Sequence, residues 1–281
     1  MFSKRNVFQY ASRRVITCLG EDEILNVMKL MAKENIRRVP VLNAKAELVG
    51  IVAVTDFLKN LKEIVGLELK GRSTLKVPEF FQKPTSSIMT RKVVYVDKNS
   101  SIQDAIEAMI TRDVGALPIL EDRRLCGIIT ERDFLHLIDR IYPKENSEKL
   151  KVSDLMSTKV FTCQKKCSIQ EAMNLMFELG FRRLVLENGG YTLVSSRDFL
   201  RLITKEDSLR EIEKDQDAFF SQSVENIDSE ELSYIAPEKS ISEAAEVMRR
   251  RNIGSLPVIS EELCGIITER DMLLAMYQIY R

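Results

Sequence analysis

Four aspartates in this chain lie at equivalent points of a repeated pattern, each directly before a pair of apolar residues. They are Asp56, Asp133, Asp198 and Asp271. In three copies a hydroxyl residue stands three positions earlier, namely Thr130, Ser195 and Thr268, whereas the first copy has Ala53. A carboxylate at such a place can cap the first turn of a helix, or it can accept charge-assisted hydrogen bonds from a bound ligand. Both interpretations stay open at this point.

The elements that position these aspartates come from an internal repeat. The nine residues LCGIITERD occur at 125–133 and again at 263–271, and diverged copies end at Asp56 and Asp198. Short apolar strands precede them at 37–42, 115–120, 182–187 and 254–259, and amphipathic helices with apolar residues at helical spacing precede those strands. The pattern predicts an α/β protein of four βαββα units. We expect these units at residues 1–66, 83–143, 144–205 and 219–281.

Local signals support these elements. Three helices begin with capping boxes, which pair Ser101 with Asp104, Ser168 with Glu171 and Ser240 with Glu243. Pro118 and Pro257 fall inside predicted strands, so we expect those residues at a sheet edge or a strand end. The methionines on the helix faces are predicted to be core residues.

The repeats alternate in kind, which indicates that a pair was duplicated. Odd units carry an Arg-Arg pair before the second strand, and even units carry Gly115 or Gly254 at that place. The linkers contain Phe-Phe at 80–81 and 219–220. One unit cannot cover both faces of its small sheet, so pairing is expected, and we predict two modules, residues 1–143 and 144–281.

Composition excludes several classes of function. Lys+Arg and Asp+Glu both number 42 in 281 residues, so no basic field draws the chain to nucleic acid. The first residues lack the apolar core of a signal peptide, and we expect a cytoplasmic protein without a membrane segment. One histidine, His136, and the absence of a Walker-type loop or a nucleophile arrangement argue against an enzyme.

The five cysteines give no metal pattern. Cys126 and Cys264 stand in identical apolar contexts and are predicted to be buried thiols. Cys163 and Cys167 form a C-x3-C pair that no second pair or histidine completes. We therefore expect no metal site.

The repeated tail Gly-Ile-Ile-Thr-x-x-Asp, complete at 127–133 and 265–271, closely resembles that of the cystathionine β-synthase (CBS) domain family. The resemblance covers nearly the whole chain. Four such repeats are similar to the gamma regulatory subunits of AMP-activated protein kinase. This resemblance implies that the repeats form two CBS-pair modules, known as Bateman modules, which are arranged as a flat disc. It also implies that adenosyl ligands bind in clefts between repeats.

The resemblance implies a role for each repeated residue. The aspartates would accept hydrogen bonds from two ribose hydroxyls, with Asp56 weaker because Ala53 replaces the hydroxyl residue. The hydroxyls of Thr130, Ser195 and Thr268 would bond the sugar or a phosphate near the helix start. The third unit departs from the family at Thr192, where a glycine is usual.

Basic and apolar residues would complete the clefts. One guanidinium group can bind two phosphate oxygens at once. The candidate phosphate-binding residues are Arg37, Arg38, Arg182, Arg183, Arg132, Arg197 and Arg270. The Arg pairs could equally be solvated charges at strand ends. The predicted adenine wall consists of Val93, Val94, Val96, Val160, Phe161 and Thr162.

The sequence thus favours a regulatory sensor of AMP, ADP or ATP that acts on an unidentified protein partner, as a monomer or a homodimer. One alternative is an interaction scaffold with vestigial clefts. Another is a sensor of a different adenosyl ligand, such as S-adenosylmethionine, or of RNA. No catalytic cofactor is expected in any of these cases.

Overall fold

The structure is a computed structural model that describes residues 4–68, 75–141, 150–164, 166–178, 182–187, 190–227 and 232–280. The first repeat contains β1 (Cys18–Leu19), α1 (Ile24–Lys33), β2 (Arg38–Leu42), β3 (Leu48–Ala53) and α2 (Val54–Glu68). The helix α3 (Val77–Phe81) leads into the second repeat. That repeat contains β4 (Val96–Asp97), α4 (Ile102–Thr111), β5 (Ala116–Glu121), β6 (Arg124–Thr130), α5 (Glu131–Leu135) and α6 (Ile138–Ile141).

The second half of the chain repeats this order. After α7 (Val152–Leu155), the third repeat contains β7 (Thr162–Gln164), α8 (Ile169–Glu178), β8 (Arg183–Glu187), β9 (Tyr191–Ser195) and α9 (Ser196–Ile203). After α10 (Glu206–Phe220), the fourth contains α11 (Ile241–Arg251), β10 (Ser255–Ile259), β11 (Leu263–Thr268) and α12 (Glu269–Tyr280). Its first strand is reduced to one parallel bridge between Ile235 and Val258. The predicted α/β architecture of four strand–helix–strand–strand–helix units is confirmed.

Each repeat builds its own small sheet. In the first three repeats the first strand runs parallel to the second, and the second pairs with the third as an antiparallel hairpin. The helix between the first two strands supplies the crossover that a parallel pair requires. The last strand of every repeat runs directly into the final helix, so each sheet delivers its aspartate to a helix start.

The predicted capping boxes are present at the starts of α4, α8 and α11. In α4 the Ser101 hydroxyl accepts from the Asp104 N–H at 3.1 Å, and the Asp104 carboxylate accepts from the Ser101 N–H at 2.8 Å. These reciprocal bonds satisfy N–H groups that have no partner inside the helix. Pro257 lies in β10, one of the two strands of its sheet, which fits the expected edge position. Pro118 is a correction, because it lies inside β5, the central strand of its sheet. It is tolerated there because pairing with β4 begins only at Ile119.

The described chain packs into two compact units. The odd unit, Ile16–Val93 with Phe161–Leu232, carries the first and third repeats. The even unit, Met1–Val15 with Val94–Val160 and Ser233–Arg281, carries the second and fourth. Each has a core drawn from both of its repeats, and the helix-face methionines are buried in it as predicted: Met28, Met31, Met109, Met173, Met176 and Met248.

In three places, the segment that precedes a repeat packs on a different repeat from the one that follows it. Ser12, ahead of the first repeat, bridges to Ile128 of the second, and Thr90, ahead of the second, bridges to Ile51 of the first. In the same way Ser157 bridges to Ile266, so the segment ahead of the third repeat lies on the fourth. The predicted unit boundaries and the modules 1–143 and 144–281 stay predictions.

Candidate functional site

The four repeated aspartates occupy the same place in the structure, the first turn of the final helix. In each, Oδ2 accepts the backbone N–H of the residue three positions earlier. The donors and distances are Ala53 at 2.8 Å to Asp56, Thr130 at 2.7 Å to Asp133, Ser195 at 2.8 Å to Asp198 and Thr268 at 2.7 Å to Asp271. This bond is the carboxylate half of a capping box, so each aspartate caps the start of its final helix in all four repeats.

The predicted hydroxyls act on the same oxygen. Thr130, Ser195 and Thr268 each donate to Oδ2 of their own aspartate, at 2.8, 2.6 and 2.7 Å. Because both bonds fall on one oxygen, the carboxylate is held in a fixed orientation. Repeat one lacks the second bond, since Ala53 has no hydroxyl.

Burial perturbs two of these carboxylates. The pKa of Asp133 is raised above its ordinary value because the group is desolvated, and the bonds from Thr130 offset this only in part. Desolvation also raises the pKa of Asp56, against the N–H of Ala53 and the positive charges of Arg38 and Lys59. Additional donors to a carboxylate in such surroundings would stabilise its charged form.

The Arg pairs stand beside the same helix starts. The Arg37 carbonyl accepts the N–H of Val54 at 3.0 Å, and the Arg182 carbonyl accepts that of Ser196 at 3.1 Å. Each pair is therefore adjacent to the turn that carries Asp56 or Asp198. All four of these arginines, including Arg38 and Arg183, are half-buried and belong to the odd unit. The even repeats make the same backbone contact through the carbonyls of Gly115 and Gly254.

Arg132 and Arg270 are engaged in a different way. In the even unit Arg132 Nε bonds Glu269 at 2.9 Å, and Arg270 Nη1 bonds Glu131 at 3.3 Å. Both glutamates are only 2% exposed. Because these positions are related by the repeat, the two ion pairs are reciprocal and join the second repeat to the fourth. We call them the Glu–Arg clamp.

Further bonds hold the clamp. Arg132 also donates to Asn252, and Arg270 donates to Asp113 at 2.7 Å. Asp113 and Asn252 both lie just after the last residue of a helix and have positive φ, at 50° and 54°. The nitrogen Nη2 of Arg132 is buried and has no hydrogen-bond partner within the described part of the chain.

The odd unit has no equivalent clamp, because its sequence differs at these positions. Val54 and Ser196 replace the glutamates, and Thr55 replaces one arginine. The remaining one, Arg197, donates from Nη1 to Asn35 of the first repeat at 2.9 Å. Arg201 donates to the same Asn35 oxygen, also at 2.9 Å.

The predicted adenine wall is divided by the boundary between the units. Val94, Val96 and Val160 belong to the even unit, whereas Val93, Phe161 and Thr162 belong to the odd unit. Val96 is buried in β4, and Thr162 is exposed in β7. The wall stays a prediction.

Sequence reasoning missed several residues around the aspartates. Glu131 and Glu269 could have been found, because the identical nine-residue segments place a glutamate at the same point in both even repeats. Arg201 lies one helical turn after Asp198 and could have been found by that spacing. Asn35 gave no signal, because its role depends on contact with another repeat.

The cysteines differ in part from prediction. Cys126 and Cys264 are half-buried rather than buried, and their thiols donate to the carbonyls of Ile119 and Val258 at 3.3 and 3.2 Å. Among the free cysteines, Cys18 is the one that is buried, and desolvation raises the pKa of its thiol to about 12. Cys163 and Cys167 are joined by a disulfide.

Two kinds of feature are absent from the described residues. No cluster of three or more His, Cys, Asp or Glu side chains there is arranged to hold a metal ion. Within the same residues, no helix has the length and apolar character needed to cross a membrane. His136 is exposed.

Comparison with known proteins identifies the family. Four stretches of the chain, residues 7–63, 86–140, 152–205 and 224–278, match the CBS domain. An uncharacterised 33.4 kDa protein from the ribosomal RNA operon of Thermofilum pendens is 26% identical over 270 residues, which cover 92% of this chain and 87% of that protein.

Solved structures agree. Protein MJ1225 from Methanocaldococcus jannaschii, described as a proposed archaeal homologue of g-AMPK, has a TM-score of 0.85 and 26% identity over 96% of this chain and 99% of its own. A conserved protein from Pyrococcus horikoshii shares the fold, with a TM-score of 0.61 and 17% identity over 97% of this chain and 100% of its own. The chain therefore belongs to the CBS domain family and carries four CBS domains.

Proposed function

We propose that this chain is a regulatory sensor of adenine nucleotides, AMP, ADP or ATP, in which Asp133, Asp198 and Asp271 receive the ribose hydroxyls. CBS-domain proteins are generally regulatory rather than catalytic, and CBS pairs commonly bind ligands. The observation that carries the proposal is the fixed carboxylate at the start of each final helix. Since Oδ2 takes the capping bonds, Oδ1 is the oxygen that can face a sugar. Asp56 is the weaker site, because no hydroxyl orients it.

In this proposal, the Arg pairs bind the phosphate groups of the nucleotide. Arg37 and Arg38 adjoin the turn of Asp56, and Arg182 and Arg183 adjoin the turn of Asp198. A guanidinium can bind phosphate oxygens through two parallel bonds. Arg132 and Arg270 are weaker candidates, because a phosphate would have to replace a buried glutamate.

Regulation would act through a protein partner. A nucleotide can shift a conformational equilibrium only by binding one state more tightly than the other. We propose that the ligand biases the packing of the modules 1–143 and 144–281, and that a partner reads this change. Catalysis plays no part in the proposal, and the protein would be cytoplasmic.

A thermal-shift series tests the ligand class. The purified protein is heated with AMP, ADP, ATP, S-adenosylmethionine or GTP. A ligand at about 100 times its dissociation constant stabilises by roughly 2.7 kcal/mol per site, which raises Tm measurably. We expect adenine nucleotides to raise Tm. A larger rise with S-adenosylmethionine would change the ligand, and no rise with any of them would remove the sensor proposal.

One observation favours a second candidate function, an interaction scaffold. The Oδ2 atoms accept their capping bonds without any ligand, so the aspartates have a structural role that needs no nucleotide. A scaffold predicts no nucleotide response and a protein complex that survives replacement of the aspartates by asparagine.

A further inference from the structure

The carboxylate of Asp198 has a second partner on its own helix. Arg201 Nη1 lies 3.3 Å from Oδ1 of Asp198, and its Nη2 donates to Oδ1 of Asn35 at 2.9 Å. Oδ2 of Asp198 already accepts the N–H and the hydroxyl of Ser195. Both oxygens of this aspartate are therefore engaged within the protein.

This leaves too little acceptor capacity for a sugar. A carboxylate offers about four lone-pair positions, two on each oxygen. Ser195 uses two of them and Arg201 uses a third. Two neighbouring ribose hydroxyls need two acceptor positions that face the ligand, so the contact from Arg201 has to open before both can bind.

Each repeat has a different residue at the position equivalent to Arg201. The residue three places after the aspartate is Lys59, His136, Arg201 or Leu274 in repeats one to four. Leu274 is aliphatic and 39% exposed, so it cannot donate to Asp271. The four sites are thus chemically distinct at a position that the family tail motif does not include.

We propose that Arg201 competes with the ligand for Oδ1 of Asp198 and so sets the affinity of the third repeat. This inference rests on the proposed function, since it assumes that the aspartates receive ribose hydroxyls. Asn35 is a residue of the first repeat, and it holds Arg201 and Arg197 on one amide oxygen. Ribose binding at Asp198 is therefore linked to the contact between the first and third repeats.

The competition is moderate in size. The side chains of Arg201 and Asp198 are 39% and 16% exposed, so water screens the pair. Partly exposed ion pairs shift an equilibrium by about two- to fivefold. An effect of that size tunes a site without closing it.

The test isolates one site at a time. Asp56→Asn, Asp133→Asn and Asp271→Asn together leave Asp198 as the only candidate carboxylate, and AMP binding is measured by calorimetry. We expect Arg201→Gln to tighten AMP binding about two- to fivefold in this background. The matched control is Arg210→Gln, which removes the exposed i,i+3 pair between Arg210 and Asp207 and should change nothing.

The reverse test introduces an arginine at the equivalent position of the fourth repeat. In a chain where Asp271 is the only remaining candidate carboxylate, Leu274→Arg should weaken AMP binding by a similar factor. Unchanged affinities in both tests would overturn the competition, and weaker binding with Arg201→Gln would make Arg201 a ligand-binding cation instead. Absence of AMP binding to the Asp198-only chain, where the wild-type protein binds, would also overturn it. If the wild-type protein binds no AMP either, the proposed function fails first.

Discussion

At the scale of single residues, the repeated aspartates cap the final helices, and we propose that they also accept the ribose hydroxyls. The capping bonds fix Oδ2, and in the third repeat Oδ1 of Asp198 lies 3.3 Å from Nη1 of Arg201. Asp133 shows the electrostatic consequence, because desolvation raises its pKa despite two bonds from Thr130.

The raised pKa of Asp133 predicts a pH dependence of stability. The folded protein holds this proton to a higher pH than the unfolded chain does. The contribution to the free energy of unfolding is therefore complete below the unfolded pKa of about 4 and is lost as pH rises through the folded pKa. We expect Asp133→Asn to remove this loss. The free energy of unfolding of the variant should therefore rise relative to that of the wild-type protein as pH rises.

Urea unfolding between pH 4 and 7.5 measures this difference in the absence of nucleotide. The control is Asp104→Asn, which alters an exposed capping-box carboxylate with similar bonds to Ser101. Parallel profiles for the wild-type protein and Asp133→Asn would contradict a raised pKa of Asp133 in the folded protein.

Residue types were more predictable from the sequence than residue partners. The position of each aspartate and its hydroxyl followed from the repeat, because both lie within one short segment. The partners of Arg132 and Arg270 did not follow, since Glu269 and Glu131 are 137 and 139 residues away along the chain. Only folding brings them together.

At the scale of elements, the Glu–Arg clamp makes the even unit different from the odd unit. We expect Arg270→Met to lower the free energy of unfolding by about 3 kcal/mol, because it leaves the charge of Glu131 buried. Adding Glu131→Gln to that variant should recover much of the loss. Arg210→Met breaks only an exposed pair and should cost under about 1 kcal/mol.

Chemical denaturation of the four proteins checks this prediction. Equal effects of Arg270→Met and Arg210→Met would mean that the clamp does not hold the second and fourth repeats together.

Close packing explains why the tail motif has a glycine. A Cβ at Gly265 would lie 3.0 Å from the backbone oxygen of Ser157 and 2.6 Å from the sulfur of Met156. The three atoms nearest to a Cβ at Gly50 all belong to the flexible side chain of Met89. We expect Gly265→Ala to cost about 1–3 kcal/mol and Gly50→Ala less, because backbone cannot move aside as a methionine side chain can. Thermal unfolding of both variants gives the order, and the opposite order would contradict the packing reason.

Strand positions show where local rules fall short. The expectation that Pro118 marks an edge followed from its missing N–H. The structure places it in a central strand, because the neighbouring strand β4 is only two residues long and pairs from Ile119 onwards. The length of a partner strand is not visible in the residues that surround a proline.

At the scale of the whole molecule, the chain passes repeatedly between its two units. The segments around Ser12, Thr90 and Ser157 leave the repeat that follows them and pack on another one. Periodicity identified four units but could not show this exchange, since the segments carry no repeat motif of their own. The alternation of odd and even repeats was visible in the sequence, and it corresponds to the two compact units.

Direct binding of AMP to the unmodified chain tests the central proposal most directly. Calorimetry should show saturable binding to the wild-type protein that falls stepwise as Asp133, Asp198 and Asp271 are replaced by asparagine. Asp104→Asn, the matched capping control, should bind as the wild-type protein does. Undiminished binding of AMP after replacement of all three aspartates, or no binding to a folded wild-type protein, would contradict the assignment of these carboxylates to the ribose.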